Sequence, residues 1–352
     1  MSNFEFGVYS LGDRIPGVNG KSTTAKERVE GMINIAKMAD QAGLDVFGIG
    51  EHHRLDFVTS SYAMILSAIA RETEKIKLTS ALSVISTADP VRVYEDFATL
   101  DLLSNGRSEI ILGRGAFLES FSLFGADINN YDALFEEKLK LFMQLQEKEL
   151  INWEGEFRPA LQNAQIAPRP IQKNIPVWVG VGGTPSSAIR AGKLGLNMAL
   201  ALLSGQAESV KHLTDLYWQS AKEAGHDLSK LKVAVTGHAY VAETGEKAVK
   251  EFLPHYNQYL GYFMKERGRN FFTTEEQLTK QRSTGDILAV GSPDELAEKI
   301  LYQHELYGHS RFMGQIDLAD QPLVQVEKAI DLLANKVAPI VQKEIDKKTL
   351  SH

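Results

Sequence analysis

Eight short apolar segments, each followed by a stretch with helical periodicity and helix-end signals, set the strongest limit on how this chain folds. They are Phe4–Tyr9, Leu44–Gly50, Lys75–Ser83, Glu109–Gly113, Val177–Val181, Leu196–Leu202, Leu231–Val241 and Ser310–Ile316. Thr24 with Glu27 reads as a capping box, and Gly43 ends that helix. Ser60 or Ser61 opens the next, and Asp89-Pro90 opens one that stops at Asn105-Gly106. Thr184-Pro185 opens another, and Ser292-Pro-Asp-Glu295 opens one closed by Gly308. Such alternation belongs to a parallel sheet with helices packed outside it, and eight repeats favour a closed (β/α)8 TIM barrel over an open sheet. A barrel of this kind takes about 250 residues. The chain has 352, so a single domain over residues 1–352 with insertions is expected.

Two segments break the alternation and absorb the excess, at about 149–173 and 254–290. The second mixes Tyr256, Tyr259, Tyr262, Phe263, Phe271 and Phe272 with charges. That mixture suits a lid over a site and equally suits a helical outgrowth with one apolar face. The helix from Tyr62 to Ala70 is apolar nearly all round, more than one buried face needs, which predicts packing against a second subunit and hence a homodimer.

A net charge of -7 opposes general affinity for nucleic acid or an anionic membrane, so an anionic ligand requires a local site. With no cysteine, disulfides, thiolate metal sites and a cysteine nucleophile are excluded. No leader peptide and no membrane-spanning apolar run is visible, so a cytoplasmic protein is expected.

In barrels of this type the C-terminal ends of the strands and the loops after them carry the chemistry. Those ends hold Glu51-His52-His53, Ser80 to Ser86, Gly113-Arg114-Gly115, Gly182-Gly183-Thr184 and Gln315-Asp317. Gly182 and Gly183 let backbone amides approach a ligand, Thr184 stands at an N-cap position, and Pro185 sits where a missing N–H costs nothing. The free amides and positive dipole end of that helix fit an anion, although a plain capped strand–helix junction has the same sequence. Arg114 between two glycines reads as a cation reaching inward to fork onto phosphate oxygens, or as one half of a surface salt bridge. His52 and His53 suggest a metal site, as in a metal-dependent barrel hydrolase. Adjacent strand residues point to opposite faces, however, so the two rings cannot easily share one ion, and no metal is expected. His52 at a barrel mouth is better read as a proton donor or polar wall. A dinucleotide fingerprint is incomplete, because Pro185 replaces the third glycine and Leu196–Leu202 lacks a terminal acid.

Several of these motifs together resemble the bacterial-luciferase-like flavin monooxygenases. They are Gly50-Glu-His-His-Arg-Leu-Asp-Phe57, Asp89-Pro-Val-Arg-Val-Tyr-Glu-Asp96, Leu103-Ser-Asn-Gly-Arg107 with Leu112-Gly-Arg-Gly115, the Gly182–Gly192 turn, and Gly291-Ser-Pro-Asp-Glu-Leu-Ala-Glu298. The resemblance covers nearly the whole chain. It implies a barrel that binds reduced FMN at the strand C-termini or, in one branch, the deazaflavin F420. It further implies a monooxygenase or oxidoreductase reaction on a small organic substrate, with a separate NAD(P)H:flavin reductase as a possible partner. Flavin binding without turnover is the non-enzymatic alternative. Carried over by motif, it sets Arg114, Gly182, Gly183, Thr184 and Ser187 at the flavin phosphate, with the Ala116 amide beside them and His52 near the reacting edge of the ring. A non-prolyl cis peptide beneath the ring is implied near Ala81, Leu82 and Ser83. Gly113 stands where luciferase itself has a cysteine, which puts light emission in doubt.

Overall fold

The computed structural model of the chain describes residues 4–115 and 117–350. Along the first half run β1 (Glu5–Ser10), α1 (Ala25–Ala42), β2 (Val46–Ile49), α2 (Tyr62–Glu72), β3 (Lys77–Ser80), β4 (Ser83–Val84), α3 (Pro90–Ser104), β5 (Ile110–Gly113), α4 (Glu119–Leu123), α5 (Tyr131–Glu147), β6 (Leu150–Trp153) and β7 (Leu161–Gln165). The second half continues with β8 (Val177–Val181), α6 (Pro185–Lys193), β9 (Asn197–Leu202), α7 (Lys211–Glu223), β10 (Val233–Val241), α8 (Gly245–Glu266), α9 (Glu275–Lys280), β11 (Ala289–Gly291), α10 (Pro293–Tyr307), β12 (Arg311–Gln315), α11 (Leu323–Leu332) and α12 (Ala338–Leu350). Among the described residues, no helix is long and apolar enough to cross a membrane.

Parallel pairing runs β3-β2-β1-β12-β10-β9-β8-β5-β4. The ring closes between β3 and β5 through a parallel bridge at Leu78 and Ser108, with Glu109 N donating to Leu78 O at 2.9 Å. All eight segments expected as barrel strands are therefore in the barrel, with one difference. The third is split at a cis peptide between Ala81 and Leu82, so its first part pairs with β2 and its second with β5. The helix signals hold where a side chain can reach the backbone. Thr24 and Glu27 form a reciprocal box, as do Ser292 and Glu295, and Gly43 and Gly308 end their helices with left-handed backbone.

The segment 149–173 carries the antiparallel hairpin β6–β7. The segment 254–290 differs from its expected start, because α8 runs through Pro254 without stopping and ends at Glu266. A proline can sit inside a helix when other contacts hold the turn. Here His255 Nδ1 lies 3.1 Å from Ala319 O and Gln258 Nε2 donates to Pro16 O at 2.7 Å.

The bottom of the barrel interior is ionic. Arg311, 1% exposed, donates to Glu5 Oε2 from Nη2 at 2.6 Å and to Glu109 Oε2 from Nη1 at 2.6 Å, and its guanidinium lies 4.3 Å from the Trp178 ring centre. Lys77 pairs with Glu5 from the rim. Above this plug, Ile111, Trp178, Ala199 and Ala234 pack with Leu82 on one side of the interior. On the other side, Tyr9, Val46 and Met313 pack with Leu11 and Ala81. Residues of opposite parity, such as Phe6, Val8, Phe47 and Leu112, face the surrounding helices.

Removing one partner of a buried ion pair leaves an uncompensated charge. Arg311→Met, which strands Glu5 beside Glu109, should lower the unfolding free energy by about 3–5 kcal/mol. Urea denaturation reads this, and an unchanged midpoint would show that the plug contributes nothing. Burial opposes ionisation of Glu5, but the Arg311 charge and the Lys77 hydrogen bond outweigh it and hold the carboxyl at about 2. Its folded-state value is depressed, so its stabilising contribution is complete above the ordinary carboxylate range and disappears as pH falls towards 2.

Candidate active site

The end of β8 is open. Gly182 and Gly183 are exposed, a Cβ built on either would meet nothing within 4 Å, and Gly183 has a φ of 117°. Thr184 takes the extended N-cap geometry of α6, yet its side chain makes no capping hydrogen bond. The first amides of α6 and its positive dipole end are thus left facing the mouth beside two unobstructed glycines. Ser187, 3% exposed, lies in this first turn, and its N–H donates to Thr184 O at 3.0 Å.

Arg114 leaves the end of β5 towards the same point. Its Nη2 donates to Ser187 Oγ at 3.0 Å, Nη1 lies 2.5 Å from Asp132 Oδ1, and the guanidinium stacks 4.7 Å from the Tyr131 ring centre. Both readings of Arg114 are therefore present at once, a cation at the glycine turn and a surface ion pair. Magnitudes separate them. Asp132 is 62% exposed, and an exposed pair is worth about 0–1 kcal/mol. Charge-assisted hydrogen bonds to a phosphate contribute roughly 1.5–3 kcal/mol each, so a dianion can displace Asp132 from the guanidinium.

Arg190, which sequence reasoning did not single out, joins the cluster. It lies three residues after Ser187 on α6, pairs with Glu136 at 2.8 Å and Asp132 at 3.5 Å, and leaves Nη1 buried without a partner. The i,i+3 spacing from Ser187 was the available signal.

The cis peptide Ala81–Leu82 forms the floor between the ends of β2 and β5. Glu51 N donates to Leu82 O at 3.2 Å, and Glu51 Oε2 accepts from Val84 N at 2.7 Å. A Cβ on Gly113 would lie 2.5 Å from Leu82 Cδ2, and one on Gly180 would lie 2.7 Å from it. Glycine at 113 is thus what admits Leu82 to the barrel. Ser83 turns its hydroxyl away, to Tyr62 OH of α2 at 2.5 Å, so its side chain does not face the mouth. Ala116 lies outside the described residues.

His52 belongs to an aromatic wall on the other side of that floor. Its ring stacks on Phe57 with centres 4.1 Å apart and meets the edge of Phe117 at 5.2 Å, and both phenyl rings touch Phe263 of α8. Arg54 pairs with Asp56 at 2.7 Å and Glu266 at 2.5 Å while lying 5.1 Å from the Phe117 ring centre, so it ties α8 to the loop after β2. His53 turns elsewhere, with Nε2 2.8 Å from Glu51 Oε1. The two rings have different neighbours, Phe57 and Phe117 for His52, Glu51 and Phe124 for His53. Burial, reinforced by the Arg54 charge, lowers the His52 ring to about 4, so at neutral pH it is an uncharged hydrogen-bonding group and not an imidazolium.

Residues 5–310 match the luciferase-like monooxygenases. The chain belongs to this family. Membership makes it an enzyme of the flavin-dependent monooxygenase and oxidoreductase kind. Among its relatives, the alkanal monooxygenase alpha chain of the Kryptophanaron alfredi symbiont is 27% identical over 78% of this chain and 82% of its own. The oxygenase component of a flavin-dependent trigonelline monooxygenase from Acinetobacter baylyi is 25% identical over 83% of this chain and 78% of its own. Two solved structures share the fold. The oxygenating constituent of 3,6-diketocamphane monooxygenase from Pseudomonas putida, in complex with FMN, has a TM-score of 0.80 at 20% identity and covers 96% of this chain and 98% of its own. The F420-dependent tetrahydromethanopterin reductase of Methanopyrus kandleri has a TM-score of 0.72 at 21% identity and covers 96% and 99%.

In this luciferase-like enzyme the His52 resonance should titrate near pH 4 in an NMR pH series of the free protein. A value at the ordinary histidine range would mean that the ring is solvated and the aromatic wall open.

Proposed function

We propose that the enzyme takes reduced FMN as a cosubstrate and, with dioxygen, oxidises a small organic molecule. One observation carries this reading: the Arg114 guanidinium sits on Ser187 Oγ in the first turn of α6, next to two glycines whose surroundings are clear. That arrangement fits a terminal phosphate monoester, a dianion that gains both from the arginine fork and from the helix end. The apolar floor of Ala81 and Leu82 fits a flat ring. When bound, reduced flavin supplies the electrons that activate dioxygen.

The protein supplies position and exclusion. Arg114, the Gly182 and Gly183 amides and Ser187 hold the tail, while Phe57, Phe117 and Phe263 shut water out of the mouth. His52, neutral and without a hydrogen bond among the described residues, accepts or returns a proton at the reacting edge. Electrons reach the flavin through a separate NAD(P)H:flavin reductase. The incomplete dinucleotide fingerprint at Pro185 and the naming of the trigonelline relative as an oxygenase component both support this. The enzyme acts in the cytoplasm as a homodimer, with Met64, 73% exposed on α2, in the contact between subunits.

The shared fold of the F420-dependent reductase favours a second reading, in which the deazaflavin occupies the same mouth. F420 offers a phosphodiester monoanion where FMN offers a monoester dianion, and the helix end and arginine pair together suit the dianion better. Anaerobic titration with FMN, reduced FMN and reduced F420 tests the choice, and affinity for F420 alone would overturn the FMN reading. Flavin binding without oxygen consumption in the presence of a reductase would overturn the oxygenase reading.

Arg114→Ala should weaken FMN binding about ten-fold, close to 1.4 kcal/mol, and an unchanged Kd would remove Arg114 from the site. His52→Ala should keep the FMN Kd within about two-fold while lowering kcat by ten-fold or more, in the range of general acid–base effects. Full turnover in that variant would exclude the proton role.

A further inference from the structure

Across the barrel from the glycine turn stands a second group of polar side chains that the flavin reading does not use. Around the ring the strands follow β1, β12, β10, β9, β8, β5, β3 and β2, so β12 faces β5 and β1 faces β8. Tyr9 of β1 pairs in register with Gln315 of β12, which pairs with His238 of β10. All three share the parity of Arg311, Met313 and Ala234 and so face the barrel interior. From above, α8 sets the edges of Tyr256 and Tyr259 against His238, each with ring centres 5.7 Å away.

Two of these groups present an atom without a well-placed partner. No group meets hydrogen-bond geometry at His238 Nδ1 or Gln315 Nε2, although His238 is only 5% exposed and Gln315 only 1%, and the Gln315 side chain lies close enough to His238 to favour its charged form and to Tyr259 to lower its hydroxyl. Buried polar groups in folded proteins are nearly always paired, and an unpaired one weakens the fold unless a ligand completes it. The wall is also uncharged. Burial lowers His238 to about 4, and burial together with nearby carboxylates keeps the Tyr9 and Tyr259 hydroxyls protonated. The adjacent cation, Arg28, is consumed by Asp317 at 2.8 Å and Asp13 at 3.4 Å, and Asp317 Oδ1 is left free. An anion approaching this side meets that carboxylate and no available cation.

We propose that Tyr9, His238, Tyr259 and Gln315 form the specificity subsite for the organic substrate, and that they take an uncharged carbonyl or hydroxyl oxygen. This rests on the mouth being the reaction site, as proposed above. Gln315 Nε2 donates to the substrate oxygen, His238 Nδ1 donates or accepts according to its tautomer, and the Tyr256 and Tyr259 rings flank an apolar body. A wall built to hydrogen-bond an oxygen discriminates strongly against the analogue that lacks it, because its own polar groups then stay unpaired. Substrates carrying a carboxylate at that position are excluded by Asp317.

FMN-loaded protein is titrated with cyclohexanone, with methylenecyclohexane of the same shape but no oxygen, and with cyclohexanecarboxylate, each followed by saturation-transfer NMR. The ketone should bind at least ten-fold tighter than either of the others. Gln315→Leu should reduce that preference at least five-fold with the FMN Kd within two-fold of the parent, and His238→Phe, which keeps the ring shape, serves if the first variant does not fold. Equal binding of ketone and alkene, no binding of any probe, or a preference that survives both substitutions would each overturn the proposal. A loss of FMN affinity in either variant would assign the wall to the cofactor and overturn it as well. Should the parent protein bind no flavin, the function proposed above fails, while the ketone-over-alkene preference still decides the subsite on the free protein.

Discussion

The Arg311 guanidinium, clamped between Glu5 and Glu109 beneath the Trp178 ring, closes one end of the barrel. An eight-stranded barrel is just wide enough to be filled by its own side chains, so a ligand can enter only where that filling stops. With the bottom sealed by fully engaged charges and the middle packed by Leu82, Trp178, Met313 and Val46, it stops at the C-terminal ends of the strands. The stability of the plug and the location of chemistry are consequences of the same packing. A charge cluster at that end also keeps its field away from the strand C-termini.

The mouth itself is divided. Towards β5 and β8 it presents positive charge and free backbone, from Arg114, the Gly182 and Gly183 backbone and the uncapped start of α6. Towards β1, β12 and β10 it is built from neutral donors and acceptors under the aromatic face of α8. The floor between them is the Ala81–Leu82 peptide, which lies where it does because Gly50, Gly113 and Gly180 carry no side chain to contest the space. On the function proposed above, this polarity would orient an elongated ligand, with an anionic tail towards β5 and β8 and the reacting end towards β1, β12 and β10.

What the sequence displays plainly is whatever one residue and its near neighbours decide. The Thr24–Glu27 and Ser292–Glu295 boxes, the left-handed Gly43 and Gly308, and the paired glycines before Thr184 act within a few residues, and each is found where expected. Arg114 could also be placed, since strand ends meet at the mouth of any such barrel. The break at Ala81–Leu82 depends on glycines from three other strands and on Glu51 N, contacts with no local signature. Pro254 misleads for the same reason, because remote partners of His255 and Gln258 hold the helix through it. Gln315 is visible in the sequence as a polar residue at a strand end, but His238 lies inside a strand that reads as an ordinary barrel segment, and nothing local shows that register sets the two side by side.

If the mouth binds a phosphate as proposed, the Arg114–Asp132 pair explains how the site can be preformed and still admit its ligand. Arg114 is mostly buried and already held by Ser187 Oγ and the Tyr131 ring, and Asp132 adds a third restraint that reduces the side-chain entropy left to lose on binding. With Asp132, the guanidinium is already aligned over Tyr131 and on Ser187 Oγ. The pair is exposed on the Asp132 side, where solvent weakens it, and shielded on the Arg114 side, where a phosphate would sit. A buried acid in the same place would hold the arginine too tightly for exchange. On the function proposed above, exposure of Asp132 is what would separate a preorganised anion site from a closed structural ion pair.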